Sequence, residues 1–113
     1  MKAPALFDVL YNNKAKVLLD LYAHQTSKEK YPDTHPAKIG REVGLTSARA
    51  GQILNEFRED GFVQYDNSNL MKSMKVYKLT DKGLREVEDV LKNIKNPKKL
   101  LDFFIKGGYS KIS

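Results

Sequence analysis

Apolar residues recur at three- and four-residue steps through most of the chain, and that spacing predicts helices. Leu6, Val9 and Leu10, then Val17, Leu18, Leu21 and Tyr22, mark helix over residues 6–24, with Pro4 suited to its first turn and the polar pair Asn12 and Asn13 breaking the stripe. Residues 25–36 are polar and include Pro32 and Pro36, which predicts a long loop. Ile39 and Val43 share one face of a short helix at 37–43, and Gly44 offers it a left-handed stop. Thr46 or Ser47 can cap the next helix, whose inner face is Ala50, Ile53, Leu54 and Phe57 and which ends before Gly61. Residues 62–65 and 76–79 read as strands on either side of the turn-forming stretch 66–69. Thr80 can cap a helix carrying Leu84, Val87, Val90, Leu91 and Ile94, which Asn96 and Pro97 terminate. A last short helix, 98–106, is closed by Gly107 and Gly108, and a frayed tail is expected beyond it.

The resulting order is helix, helix, tight turn, helix, two-stranded hairpin, helix, the layout of a helix-turn-helix with an attached β-wing. Three stretches carry a closer resemblance. Ile39-Gly40-Arg41-Glu42-Val43-Gly44-Leu45-Thr46 is similar to "I-A-x-x-L-G-L-S". Ile53-Leu54-Asn55-Glu56-Phe57-Arg58-Glu59-Asp60-Gly61-Phe62-Val63 is similar to "x-L-x-x-L-x-x-x-G-L-V". Tyr77-Lys78-Leu79-Thr80-Asp81-Lys82-Gly83 is similar to "Y-x-L-T-x-x-G". In this order and spacing they resemble the winged helix-turn-helix transcriptional regulators, the broad group that includes the multiple-antibiotic-resistance and arsenic-repressor types. The resemblance spans about residues 39–88 and implies a mainly α fold with a small β-hairpin (α+β), with extra C-terminal helices for dimerisation. Two residues depart from the pattern. Gly40 stands where the family usually has Ala, close to a tight helix contact, and Gly51 lies inside the recognition helix, where glycine costs ~1 kcal/mol relative to alanine.

Charge supports a polyanionic partner. The 113 residues carry 20 Lys+Arg against 14 Asp+Glu, a net +6. The absence of cysteine excludes disulfides, thiol nucleophiles and zinc ribbons, and is consistent with a reducing, cytoplasmic setting. No apolar run is long enough for a membrane span, and the first residues do not read as a secretory leader. His24 and His35, with Asp33 nearby, do not make a recognisable metal set, so neither metal nor cofactor is expected. No phosphate-binding glycine loop or catalytic triad motif is present, and a non-enzyme is expected.

The recognition helix, about 46–59, turns Ser47, Ala48, Arg49, Gln52 and Asn55 outward, residue types that can read base edges in a major groove of double-stranded DNA. Its acids, Glu56, Glu59 and Asp60, cluster at the far end and outnumber Arg49 and Arg58. Phosphate contacts are expected from Lys38 and Arg41 on the preceding helix, from Thr46, and from Lys72 and Lys75 on the wing, about 62–79. Leu70, Met71 and Met74 in the wing are expected to pack on the domain itself.

Leu84, Val87, Leu91 and Ile94 follow a 3-4-3 spacing, and with Leu101 and Phe104 they are expected to form the seam of a homodimer. The chain then divides into a winged-helix domain, 1–95, and a short C-terminal helix and tail, 96–113. Three functions fit: a sequence-specific DNA-binding transcriptional regulator, a nonspecific architectural DNA binder of the nucleoid, and a protein-binding winged-helix module, the last disfavoured by the net charge.

Overall fold

A computed structural model describes residues 12–27, 34–66 and 76–111 of the chain. Its elements are α1 (Asn13–Thr26), α2 (Pro36–Val43), α3 (Ser47–Glu59), β1 (Val63–Tyr65), β2 (Tyr77–Leu79), α4 (Asp81–Lys92) and α5 (Pro97–Ile105), followed by a 3-10 turn at Gly108–Lys111. The order and shape are those of a winged helix: a helix-turn-helix, α2 and α3, and an antiparallel β1–β2 hairpin, assembled on α1. No helix among the described residues is long and apolar enough to cross a membrane.

The break expected at Asn12 and Asn13 is a helix start. Asn12 Oδ1 accepts the backbone N–H groups of Lys14 (3.1 Å) and Ala15 (3.2 Å), which α1 itself leaves without partners. Leu6, Val9 and Leu10 lie outside the described residues, as do Leu70, Met71, Lys72, Met74 and Lys75. α1 is the hub of the molecule. Lys16, Val17, Leu18, Leu19, Asp20, Leu21, Ala23 and His24 are all buried on it, and α2, α3, α4, α5 and β2 pack around it.

The hairpin pairs Val63 with Leu79, Gln64 with Lys78 and Tyr65 with Tyr77. Its open edge is not left bare. Thr34 exchanges two bonds with Tyr77, through its hydroxyl (2.6 Å) and its backbone carbonyl (3.3 Å). The Gln25 side chain accepts from Leu79 N–H at 2.8 Å and donates to its carbonyl at 3.4 Å. Part of the segment expected to be loop therefore serves as a substitute strand, capping an edge that would otherwise offer unpaired backbone groups.

The C-terminal half departs from expectation. α4 ends at Lys92, so Ile94 leaves the helical line and turns into the core. Val87, Ile94 and Phe104 are 1%, 6% and 0% exposed within the single chain. These three members of the expected dimer seam are thus core residues, while Leu84, Leu91 and Leu101 are partly buried against the same core. The physical reason is that α1 needs cover on every side, and α5 folds back to supply it. The expected fray after residue 106 is also corrected as far as Lys111. Gly107 and Gly108 adopt positive φ and reverse the chain. Tyr109 then stacks edge-on against Phe103 at 5.3 Å, and the Lys16 ammonium lies 4.8 Å from the Tyr109 ring centroid. Burial pushes the Lys16 amine below the usual lysine range.

The turn between α2 and α3 rests on two glycines. Gly44 takes φ 78°, a left-handed conformation that side chains disfavour, and its N–H caps α2 on the Gly40 carbonyl. Leu45 N–H bonds to the same carbonyl at 2.7 Å. The turn backbone consequently lies on Gly40, where a Cβ would stand 2.8 Å from the Leu45 carbonyl oxygen and 3.0 Å from that of Thr46. Gly51 differs: a Cβ there would meet only Pro36, at 4.0 Å, an ordinary contact.

α1 and α2 are tied by buried polar groups. His24 Nε2 donates to Glu42 Oε1 at 2.9 Å and lies 3.5 Å from Asp20 Oδ1, with all three side chains almost wholly enclosed. Burial raises the Asp20 carboxyl to about 7, with neighbouring Glu42 adding to the rise and His24 opposing it. Burial alone would lower the His24 imidazole, but the Asp20 and Glu42 carboxylates beside it outweigh this and raise the pKa to about 10.

Two predictions follow from these contacts. Both Asp20 and His24 hold protons more tightly folded than unfolded, Asp20 between 3.8 and about 7, His24 between 6.5 and about 10. The folded state then binds more protons, so stability falls as pH rises across these windows. Thermal melts between pH 5 and pH 9 should show Tm declining, with the part below pH 7 flattened in Asp20→Asn; a Tm that rises or stays level in the wild type contradicts this. The second prediction is that one substitution has opposite signs at two sites. Gly40→Ala should cost about 1–3 kcal/mol by forcing the turn off α2, whereas Gly51→Ala should stabilise by up to about 1 kcal/mol through helix propensity. Urea unfolding of both variants measures the difference.

Candidate nucleic-acid interface

α3 has one face committed to the core and one to solvent. Ala50, Ile53 and Leu54 are fully enclosed and Phe57 nearly so, matching the inner face read from spacing. Thr46 forms the N-cap, its Oγ1 accepting Arg49 N–H at 3.1 Å. That fixes the helix rotation and the direction in which its first turn points.

Ser47, Ala48, Arg49, Gln52 and Asn55 are all exposed. Arg49 Nη1 donates to Gln52 Oε1 at 3.0 Å, so these two side chains stand together one turn apart. Gly51 is half-buried and faces Pro36 at the start of α2. Arg41 is exposed and Lys38 half-buried on α2, while Thr46 is exposed with its hydroxyl engaged in the cap. The structure thus leaves all five base-reading candidates exposed on α3, away from its core positions Ala50, Ile53, Leu54 and Phe57.

One acid at the far end of α3 is ion-paired, and the basic side chains around that end have other contacts. Lys14 Nζ, at the start of α1, lies 3.2 Å from Glu56 Oε2. Arg58 stacks over Tyr65 of the wing, 4.9 Å from the ring centroid, and so belongs to the hairpin rather than to the reading face. Lys82 Nζ donates to the Asp60 carbonyl at 2.9 Å and lies over Phe62. The helix N-terminus, with its partial positive charge, lies at the opposite end, beside Ser47, Ala48 and Arg49. The acid excess counted along the sequence therefore does not describe the field at the reading end.

The spacing along the sequence groups His24 with His35 and Asp33, whereas the fold groups it with Asp20 and Glu42. The available signal was Asp20 and His24 at i and i+4 on a helix whose neighbouring positions are apolar. Glu42 comes from a different element, α2, where it shares the buried side with Ile39 and Val43.

No known protein family matches the sequence, and no curated protein matches it. Among solved structures, the chain is similar to a double mutant of ZitR from Lactococcus lactis in its apo form. The TM-score is 0.57 and the identity 17%, over 88% of this chain and 67% of that one. At that identity the likeness concerns the fold, and it agrees with the winged helix described above.

Proposed function

We propose that the chain is a DNA-binding transcriptional regulator that places α3 in the major groove of double-stranded DNA and rests its wing on the backbone or minor groove. The observation that carries this reading is the exposed row of Arg49, Gln52 and Asn55, anchored on a helix whose opposite face is wholly in the core. Arg49 suits guanine, Gln52 and Asn55 suit adenine, Ser47 suits either base or phosphate, and Ala48 suits a thymine methyl. Arg41, Lys38 and Thr46, with Lys72 and Lys75 of the wing, supply the phosphate contacts.

The architectural reading draws on a separate observation: Arg49 is the one exposed basic side chain in the N-terminal half of α3, and the remaining positive charge is spread over other elements. Homodimerisation belongs to the proposal in a reduced form. With Val87, Ile94 and Phe104 inside the chain, it rests on the partly exposed Leu84, Leu91 and Leu101 and on Ile105, which is 37% exposed. Two α3 helices about one DNA turn (~34 Å) apart would then read a pseudo-palindrome.

Selection of bound sites from a random duplex library separates the readings. Arg49→Ala should lose about 1–3 kcal/mol on the selected site and little on random duplex. Gln52→Ala should relax one neighbouring position, and Glu59→Ala should leave the preference unchanged. Removing Lys72 and Lys75 together should weaken all sequences alike and reduce the salt slope by roughly one to two. Equal loss on every sequence after Arg49→Ala favours the architectural reading, and no enriched motif for the wild type sinks the regulator. For the dimer, sedimentation at tens of micromolar should show two copies for the wild type and one for a folded Leu91→Glu variant. A monomeric wild type removes the dimer.

A further inference from the structure

The Asp20, His24 and Glu42 cluster is more than a buried ion pair. Asp20 is fully enclosed, yet neither carboxylate oxygen has a hydrogen-bond partner. Buried carboxylates ordinarily have several, because desolvating the charge is otherwise costly. Both Asp20 oxygens thus retain lone pairs in the interior, beside a histidine nitrogen and a second carboxylate.

The spacing suits a shared cation. One ligand atom from each of the three side chains lies within 4.8 Å of the others, and two of the separations are 2.9 and 3.5 Å. A tetrahedral ion with bonds of ~2.0–2.1 Å sets its ligand atoms roughly 3.3–3.4 Å apart. Small side-chain rotations would bring the three donors onto one such ion. Asp20 and His24 come from successive turns of α1 and Glu42 from α2, so the donors are held by packed helices rather than by a loop.

We propose that Asp20, His24 and Glu42 form a binding site for a divalent first-row cation of the Zn2+ type. His24 would ligate through Nε2 as neutral imidazole, and the two carboxylates would balance the charge of the ion. Imidazole nitrogen and carboxylate oxygen are both ordinary Zn2+ ligand atoms, whereas Mg2+ keeps its water and prefers six oxygens. Binding would lock α1 to α2, the first helix of the helix-turn-helix. The site is argued from its own geometry and does not rest on the DNA reading.

The test uses the full chain after chelator treatment, with Zn2+ as the probe and Mg2+ as the control, followed by calorimetric titration and thermal melts. One Zn2+ should bind per chain, raising Tm by about 10 °C when the free metal exceeds Kd a hundredfold; Mg2+ should leave Tm unchanged. Asp20→Asn keeps the side-chain shape and removes one of the two carboxylate donors. It should still melt cooperatively without metal, while its Zn2+ affinity falls at least about tenfold. His24→Gln should lose affinity likewise, and His35→Gln should bind as the wild type does. The proposal is overturned by the absence of saturable one-to-one Zn2+ binding, by wild-type affinity in a folded Asp20→Asn protein, or by loss of binding in His35→Gln.

Discussion

How α2 is held against α1 governs the presentation of the candidate DNA-facing side chains on α2 and α3. The hold combines apolar packing of Ile39 and Val43 with the buried contact of His24 to Glu42 and Asp20. Such a buried cluster is a weak source of net stability, since desolvation opposes much of its attraction. Its value is directional. A shift of α2 that kept the apolar contacts would still separate Glu42 from His24, and would leave buried charge without compensation.

From that hold the geometry propagates through the turn. Gly40 lets the backbone of Leu45 and Thr46 lie directly on α2, and Gly44 supplies the left-handed residue that reverses the chain. Thr46 then caps α3, and Ala50, Ile53 and Leu54 lock its rotation in the core. The face left for solvent is a consequence of these steps. The C-terminal turn adds a second brace: the Tyr109 ring lies 3.5 Å from the position a Cβ would take at Gly44, and the Lys16 ammonium lies over that ring, 4.8 Å from its centroid.

Helix α3 and its caps were legible in the sequence because each depends on short-range chemistry. Thr46, Gly44 and the spacing of Ala50, Ile53, Leu54 and Phe57 are local signals, and so is Thr80 as the cap of α4, accepting from Gly83 N–H at 3.1 Å. What the sequence did not disclose depends on partners distant along the chain. Thr34 and Gln25 seal the edge of β2, but nothing around either residue marks it as a strand partner. Val87, Ile94 and Phe104 have a spacing that suits a second copy as well as it suits α1, and only the closure of α5 over the core decides between them. Glu42 reads as a solvated acid until α2 is placed beside His24. The same holds for Glu56, whose charge is met by Lys14 across two helices.

The most direct test of the interface is a map of where duplex DNA touches the protein in solution. Backbone amide resonances followed during titration with a mixed-sequence duplex, then with a selected site, would provide it. The amides of residues 46–52, with Lys38 and Arg41 on α2, should shift first and most. Those of α4 and α5 should move little. Shifts centred on α4 and α5, or none on α3 at saturating DNA, would contradict the assignment of α3 as the reading helix.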